Sequence, residues 1–121
     1  MLPAANRLTH QGDFRRVVRS GCRAGSATVV VHLLLPDDEQ TTPSTGGGVV
    51  AGFVVSRAVG NSVIRHRVQR QLRHLVQDRL SRLPERSELV VRALPAATGA
   101  SYARLGADLD LCLNRCLDRV S

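Results

Sequence analysis

One amphipathic segment, announced by its own turn, constrains this chain more than any other feature. Residues 60–76 read Gly-Asn-Ser-Val-Ile-Arg-His-Arg-Val-Gln-Arg-Gln-Leu-Arg-His-Leu-Val. Gly60 can take a positive φ at no steric cost, and Asn61 is a strong helix N-cap. At roughly 100° per residue, Arg65, His66, Arg67, Gln69, Arg70, Arg73 and His74 sweep one side of the helix. Ile64, Val68, Leu72, Leu75 and Val76 fill much of the other. One face can therefore be buried while the opposite face presents a cationic wall. Closely spaced arginines repel one another along a helix, and Arg65 to His74 contains no acid to relieve them. Ordinary solvated faces mix both signs of charge. A polyanion lying on this face would relieve the strain.

The whole chain points the same way. Its formal net charge is +7, and all 17 of its Lys-plus-Arg positions are arginine. Such a balance implies a polyanionic partner, nucleic acid ahead of an anionic membrane surface. Arginine grips phosphate with a rigid fork of donors, although a GC-rich coding sequence would also explain the absence of lysine. Phe14, Phe53 and Tyr102 are the only aromatic residues, too few to read single-stranded RNA by stacking alone. Recognition should rest on phosphate contacts and shape.

The 121 residues suffice for one domain with a real core, spanning 1–121. No apolar run is long enough to cross a membrane, and Met1 to Arg7 lacks a signal-peptide core, so a cytoplasmic protein without a membrane partner is expected. Cys22, Cys112 and Cys116 are an odd set that argues against a disulfide framework. Cys112 and Cys116 lie four apart on a helical pattern with no nearby third ligand, which favours reduced core thiols over a metal site.

Along the chain, Thr9 can cap a first helix from about 10 to 20, stopped by Gly21. Ala27–Leu35 and Val49–Ser56 are rich in β-branched residues and predict strands. Residues 36–48, acidic and then Gly-rich, predict a flexible hairpin connection; no phosphate-loop pattern is present. The arginine helix is expected over 62 to about 82, before Pro84. Glu88–Leu94 predicts a third strand. Ser101 can cap a last helix, with Leu105, Leu109, Cys112, Leu113, Cys116 and Leu117 as its apolar stripe. The order predicts a single α+β domain with helices packed on a sheet. No acid, His or Cys falls into a recognisable nucleophile or metal motif, so no catalytic residue is expected in the chain itself.

These residues resemble a known family. The run Gly52 to Arg73, with Gly60-Asn61-Ser62-Val63-Ile64-Arg65-His66-Arg67 at its centre, is similar to the signature of the protein subunit of bacterial ribonuclease P. Asn6-Arg7-Leu8 with Asp13-Phe14-Arg15-Arg16-Val17-Val18-Arg19-Ser20-Gly21 resembles the family's opening segment. Leu89-Val90-Val91-Arg92-Ala93 and Ser101-Tyr102 resemble its last strand and helix start. The chain departs from the pattern at His66 (Asn in the family), at Gln69 (Lys), at Val18 (often Phe), at His32 (often Tyr) and at Arg57-Ala58 (a lysine pair).

The resemblance implies an α-β sandwich with a mostly antiparallel four-stranded sheet and a left-handed β-α-β crossover at the arginine helix, where handedness statistics alone would favour a right-handed one. It implies a ribonucleoprotein in which a catalytic RNA subunit removes the 5′ leader from precursor tRNA, using Mg2+ held mainly by that RNA. No further protein partner is implied. Arg57, Asn61, Arg65, His66, Arg67, Gln69, Arg70 and Arg73 are then expected to face RNA. Phe14, Val18, His32 and Val54 are expected to line a cleft for the leader. Two other readings compete. One is a DNA-reading domain using Gln69 and Gln71 in a major groove. The other is a non-catalytic structural RNA-binding protein of the ribosome.

Overall fold

The protein is seen in a computed structural model that describes residues 11–35, 49–84 and 86–120. Helix α1 spans Gln11–Ser20, strand β1 Cys22–Gly25, β2 Val29–Leu34, β3 Val50–Val54, helix α2 Ser62–Gln77, β4 Glu88–Ala93 and helix α3 Tyr102–Val120. The expected cap at Thr9, the segment Asn6 to Leu8 and the 36–48 connection lie outside the described residues.

The strands form one sheet in the order β1-β2-β4-β3. β1 pairs antiparallel with β2, and β2 antiparallel with β4, whereas β3 runs parallel to β4. Parallel neighbours require a crossover, and α2 is that crossover. The sheet is therefore mostly antiparallel and four-stranded, with three helices packed on it. The residue pattern alone supplies only three of its strands. β1 is Cys-Arg-Ala-Gly, a composition with little strand preference. It becomes a strand through its partner, in register from Cys22↔Leu33 to Gly25↔Val30. The Ser26 N–H donates to Val29 O at 2.9 Å to close the hairpin, which trims β2 from the expected start at Ala27 to Val29.

Alternation along the strands assigns the two faces. Ala24, Val29, Val31, Leu33, Ala51, Leu89, Val91 and Ala93 point to the back, into the main core. There they meet Val68, Leu72, Leu75 and Val76 of α2, and Leu105, Leu109, Cys112, Leu113 and Cys116 of α3. The two α3 thiols are buried and reduced, and burial pushes the Cys112 thiol up from its ordinary value. The front face carries Arg23, Val30, His32, Leu34, Glu88, Val90, Arg92, Val50 and Val54 by register. Among the described residues only α1 packs there, through a small cluster in which Val17 meets Val90 and is flanked by Phe14, Leu34, Val50 and Val54. One helix cannot cover four strands, and the described residues leave part of the front face uncovered.

Polar ties lock the helices in place. The Thr28 hydroxyl donates to Asp108 Oδ2 at 2.6 Å, and the Arg104 Nε–H donates to the same oxygen at 3.2 Å. The Thr28 hydroxyl and Arg104 hold that carboxyl below the usual range. Arg79 grips Asp110 at 2.6 and 3.1 Å, and Arg82 donates to it at 2.7 Å. This grip accounts for the end of the arginine helix. α2 stops at Gln77, short of the expected 82, and Leu80–Arg82 continues as one turn of 3-10 helix that swings both arginines onto α3. Ser101 caps α3 as expected, accepting from the Arg104 N–H at 3.0 Å.

Gly21 ends α1 for a steric reason. A Cβ there would sit 2.5 Å from Val17 O and 3.0 Å from the Leu33 backbone, so neither strand nor helix end can yield. Gly99 has open space around the same position. Gly21→Ala should cost about 1–3 kcal/mol, read as a lowered urea midpoint, while Gly99→Ala stays near wild type. Equal midpoints for both variants would contradict this origin of the α1–β1 turn.

Candidate nucleic-acid interface

The turn before α2 is built as its residues require. Asn61 Oδ1 accepts from the Ile64 N–H at 3.0 Å and is the N-cap. Gly60 has φ +158°, and a Cβ on it would lie 2.9 Å from Ile64 Cγ2. Close approach to Ile64 is thus as strong a reason for glycine as the dihedral angle. Thr98 hydrogen-bonds Val59 O through its hydroxyl, and its own carbonyl accepts from Arg67 at 3.1 Å. The segment after β4 thereby braces the first turns of α2.

With Val68 and Leu72 fully buried, the helix cannot roll, and its opposite side is fixed outward. His66, Gln69, Arg70, Arg73 and His74 line a concavity of about 390 Å³ on that side. Four of these are expected RNA-facing residues that the structure brings together. His74 joins them; it lies within the cationic sweep of the helical wheel, one turn after Arg70. Arg65 and Arg73 are half-buried, each with an Nε that is shielded and without a hydrogen-bond partner. Arg67 is partly engaged by Thr98, Asn61 is committed to the cap, and Arg57 stands exposed in the turn ahead of the helix.

The residues expected to line a cleft divide into two groups. Val18, nearly half exposed at 47%, and His32 line a second concavity of about 440 Å³ on the front face, with Arg23, Val30, Arg92 and Leu94. Phe14 and Val54 instead pack beside Val17 and Val90 in the small front cluster. Arg23 and Arg92 are additions that the sequence reading does not supply. Alternation alone would place them on the face of His32, but β1 is not legible as a strand.

His32 is the one titratable group at the floor of this cleft whose charge is clearly displaced. Burial, then Arg23, then Arg92 hold its imidazole below the ordinary histidine value of 6.5, so it is neutral at pH 7. Among the described residues no three His, Cys, Asp or Glu side chains converge as metal ligands, and no helix is long and apolar enough to cross a membrane.

Fold and surface together define a small basic α-β sandwich with an arginine-faced crossover helix and a half-covered sheet. Known proteins place it further. Residues 2–117 match the Ribonuclease P family. The ribonuclease P protein component of Salinispora tropica is 51% identical over 124 aligned positions, covering 93% of this chain and 91% of that protein. That of Streptomyces griseus is 52% identical, covering 97% and 96%. Among solved structures, the Staphylococcus aureus RNase P protein superposes with a TM-score of 0.74 at 22% identity, over 90% of this chain and 93% of that one. The Thermotoga maritima RNase P protein in complex with 1-(4-fluorophenyl)-2-thiourea gives 0.71 at 18%, over 91% and 96%; these two show the fold. The chain belongs to the ribonuclease P protein family, and its role is that of the family's protein subunit rather than of a DNA reader or a ribosomal structural protein.

The displaced imidazole makes a pH prediction. On acidification the unfolded chain takes up its His32 proton first, from about 6.5, and the folded chain only later. The stability contributed by neutral His32 is therefore full above that value and is lost as pH falls below it. His32→Gln should flatten the fall in Tm between about pH 7 and about pH 5. Parallel wild-type and variant curves would contradict it.

Proposed function

We propose that this chain is the non-catalytic subunit of an RNA-based endoribonuclease, working in the cytoplasm on precursor tRNA. The outward face of α2 binds the catalytic RNA, and the open front face holds the 5′ leader beside it. The RNA carries out the cleavage, with magnesium ions held mainly by its own phosphates. One observation carries the reading: α2 is pinned by buried Val68 and Leu72 and turns His66, Gln69, Arg70, Arg73 and His74 outward around one concavity that is free of acids among the described residues.

Three acids among the described residues are committed to holding the fold. Glu88 is paired with Arg16, Asp108 with Thr28 and Arg104, and Asp110 with Arg79 and Arg82. Hydrogen bonds hold Asp108 and Asp110 in their charged forms, and Glu88 ties β4 to α1 through Arg16. On this reading the chemistry belongs to the partner RNA. The protein contributes phosphate neutralisation, which raises affinity and lowers the concentration of cations the complex needs.

Binding of the RNA subunit over a range of monovalent salt tests this. Arg70→Ala and Arg73→Ala should each weaken binding and reduce the slope of log affinity against log salt by roughly 0.7 to 0.9, with little change in Tm. A double variant that keeps the wild-type slope would remove α2 from the interface. The protein free of RNA should leave precursor tRNA intact. Site-specific cleavage by RNA-free protein, abolished by a point substitution in this chain, would overturn the non-catalytic assignment.

A further inference from the structure

Two of the chain's four histidines, His66 and His74, face the concavity on α2. Both are exposed, so neither is there to fill the core. With Arg70 they stand at i, i+4 and i+8 and share one stripe of the helix. At 1.5 Å per residue that stripe runs about 12 Å from the first imidazole to the last. Gln69 and Arg73 form the stripe beside it. Among the described residues this concavity is lined by α2 alone, so the charges facing the imidazoles come from that helix. Arg70 stands between them, and Arg73 precedes His74. Arg65 and Arg67 flank His66, with Arg67 engaged by Thr98 O. Asp78 lies one turn beyond His74, at the C-cap, where its charge acts on Arg79. Of the elements packed against α2, β3 and the Pro95–Thr98 turn carry no titratable residue. On α3, Asp110 is held by Arg79 and Arg82, and Asp108 by Thr28 and Arg104.

A histidine side chain ordinarily changes charge between about pH 5 and 8, and a phosphate held against an imidazole favours its charged form. We propose that His66 and His74 each take up a proton as phosphates of the RNA subunit settle into this concavity, so that the hold on RNA tightens as pH falls. The proposal rests on the reading of α2 as the face for the RNA subunit and adds a proton linkage to it. Arginine stays charged throughout this range and supplies a constant part of the attraction. The imidazoles supply a part that pH sets. By linkage, bound RNA strengthens proton binding by the same factor that protonation strengthens RNA binding.

The test is binding of the full chain to the catalytic RNA subunit, without tRNA, from pH 8 to pH 6 at several salt concentrations. Thermal melts confirm that each variant is folded at each pH. Wild-type affinity should rise on acidification by about three- to tenfold for each imidazole, the gain that half to one pH unit of tighter proton binding produces. The slope of log affinity against log salt should steepen over the same range by up to roughly 0.7 to 0.9 for each imidazole charged. His66→Asn and His74→Gln keep a polar side chain but no titratable one. Each should remove part of the pH dependence, with a larger loss of affinity at pH 6 than at pH 8, and the double variant should remove most of it. Calorimetry in two buffers of different protonation enthalpy should show net proton uptake on binding by the wild type and little by the double variant. A double variant that keeps the wild-type pH dependence and proton uptake would overturn the linkage, as would a wild type that takes up no protons. Arg70→Ala and Arg73→Ala at pH 8 then decide the underlying reading. If they flatten the salt slope, α2 remains the RNA face and only the linkage falls. If they do not, both fall.

Discussion

Strand β4 is the constraint on which the rest of the molecule depends. It lies between β2 and β3, is antiparallel to one and parallel to the other, and is buried at every position except Arg92. Because β3 and β4 are parallel and neighbours, the chain between them must cross the sheet, and α2 occupies that crossing. The helix's apolar strip is then held on the back face by Leu89 and Val91 together with α3. An arginine wall that would repel itself apart as a free helix is fixed in one orientation. The tertiary burial outweighs the local like-charge repulsion, which amounts to a few tenths of a kcal/mol for each pair.

The same sheet makes the second surface by being covered unequally. Among the described residues two long helices share the back face, whereas α1 alone packs on the front. Val17 is fully buried against Val90, and its neighbour Val18 stands nearly half exposed beside the open part of the sheet. One step along the helix thus separates packing from lining. Two surfaces of different character arise from one core: a shallow cationic concavity along α2, and a front-face concavity lined by both aliphatic and cationic side chains.

Much of this is legible in the sequence because it rests on local signals. Asn61 before the Ser62 helix, Ser101 before α3, the β-branched runs and the 3.6-residue stripes all report the element that contains them. What escapes is set by partners distant in sequence. Cys22–Gly25 is a strand because β2 pairs with it. α2 gives way near residue 78 because Asp110 on another helix captures Arg79 and Arg82. Arg23 and Arg92 become neighbours of His32 only through the sheet register. Of the residues assigned to the cleft, Val18 and His32 share a concavity, while Phe14 and Val54 sit in the adjoining apolar cluster. The family pattern locates the region, and the packing distributes the roles within it.

The central claim is that this chain supplies cationic surface to an RNA that does the chemistry. It is tested most directly by cleavage of precursor tRNA with the catalytic RNA at a magnesium concentration too low for the RNA to work alone. Adding the purified protein should restore accurate removal of the leader, and raising magnesium should make the protein progressively dispensable. A protein that binds the RNA but leaves cleavage at low magnesium unchanged would contradict that claim.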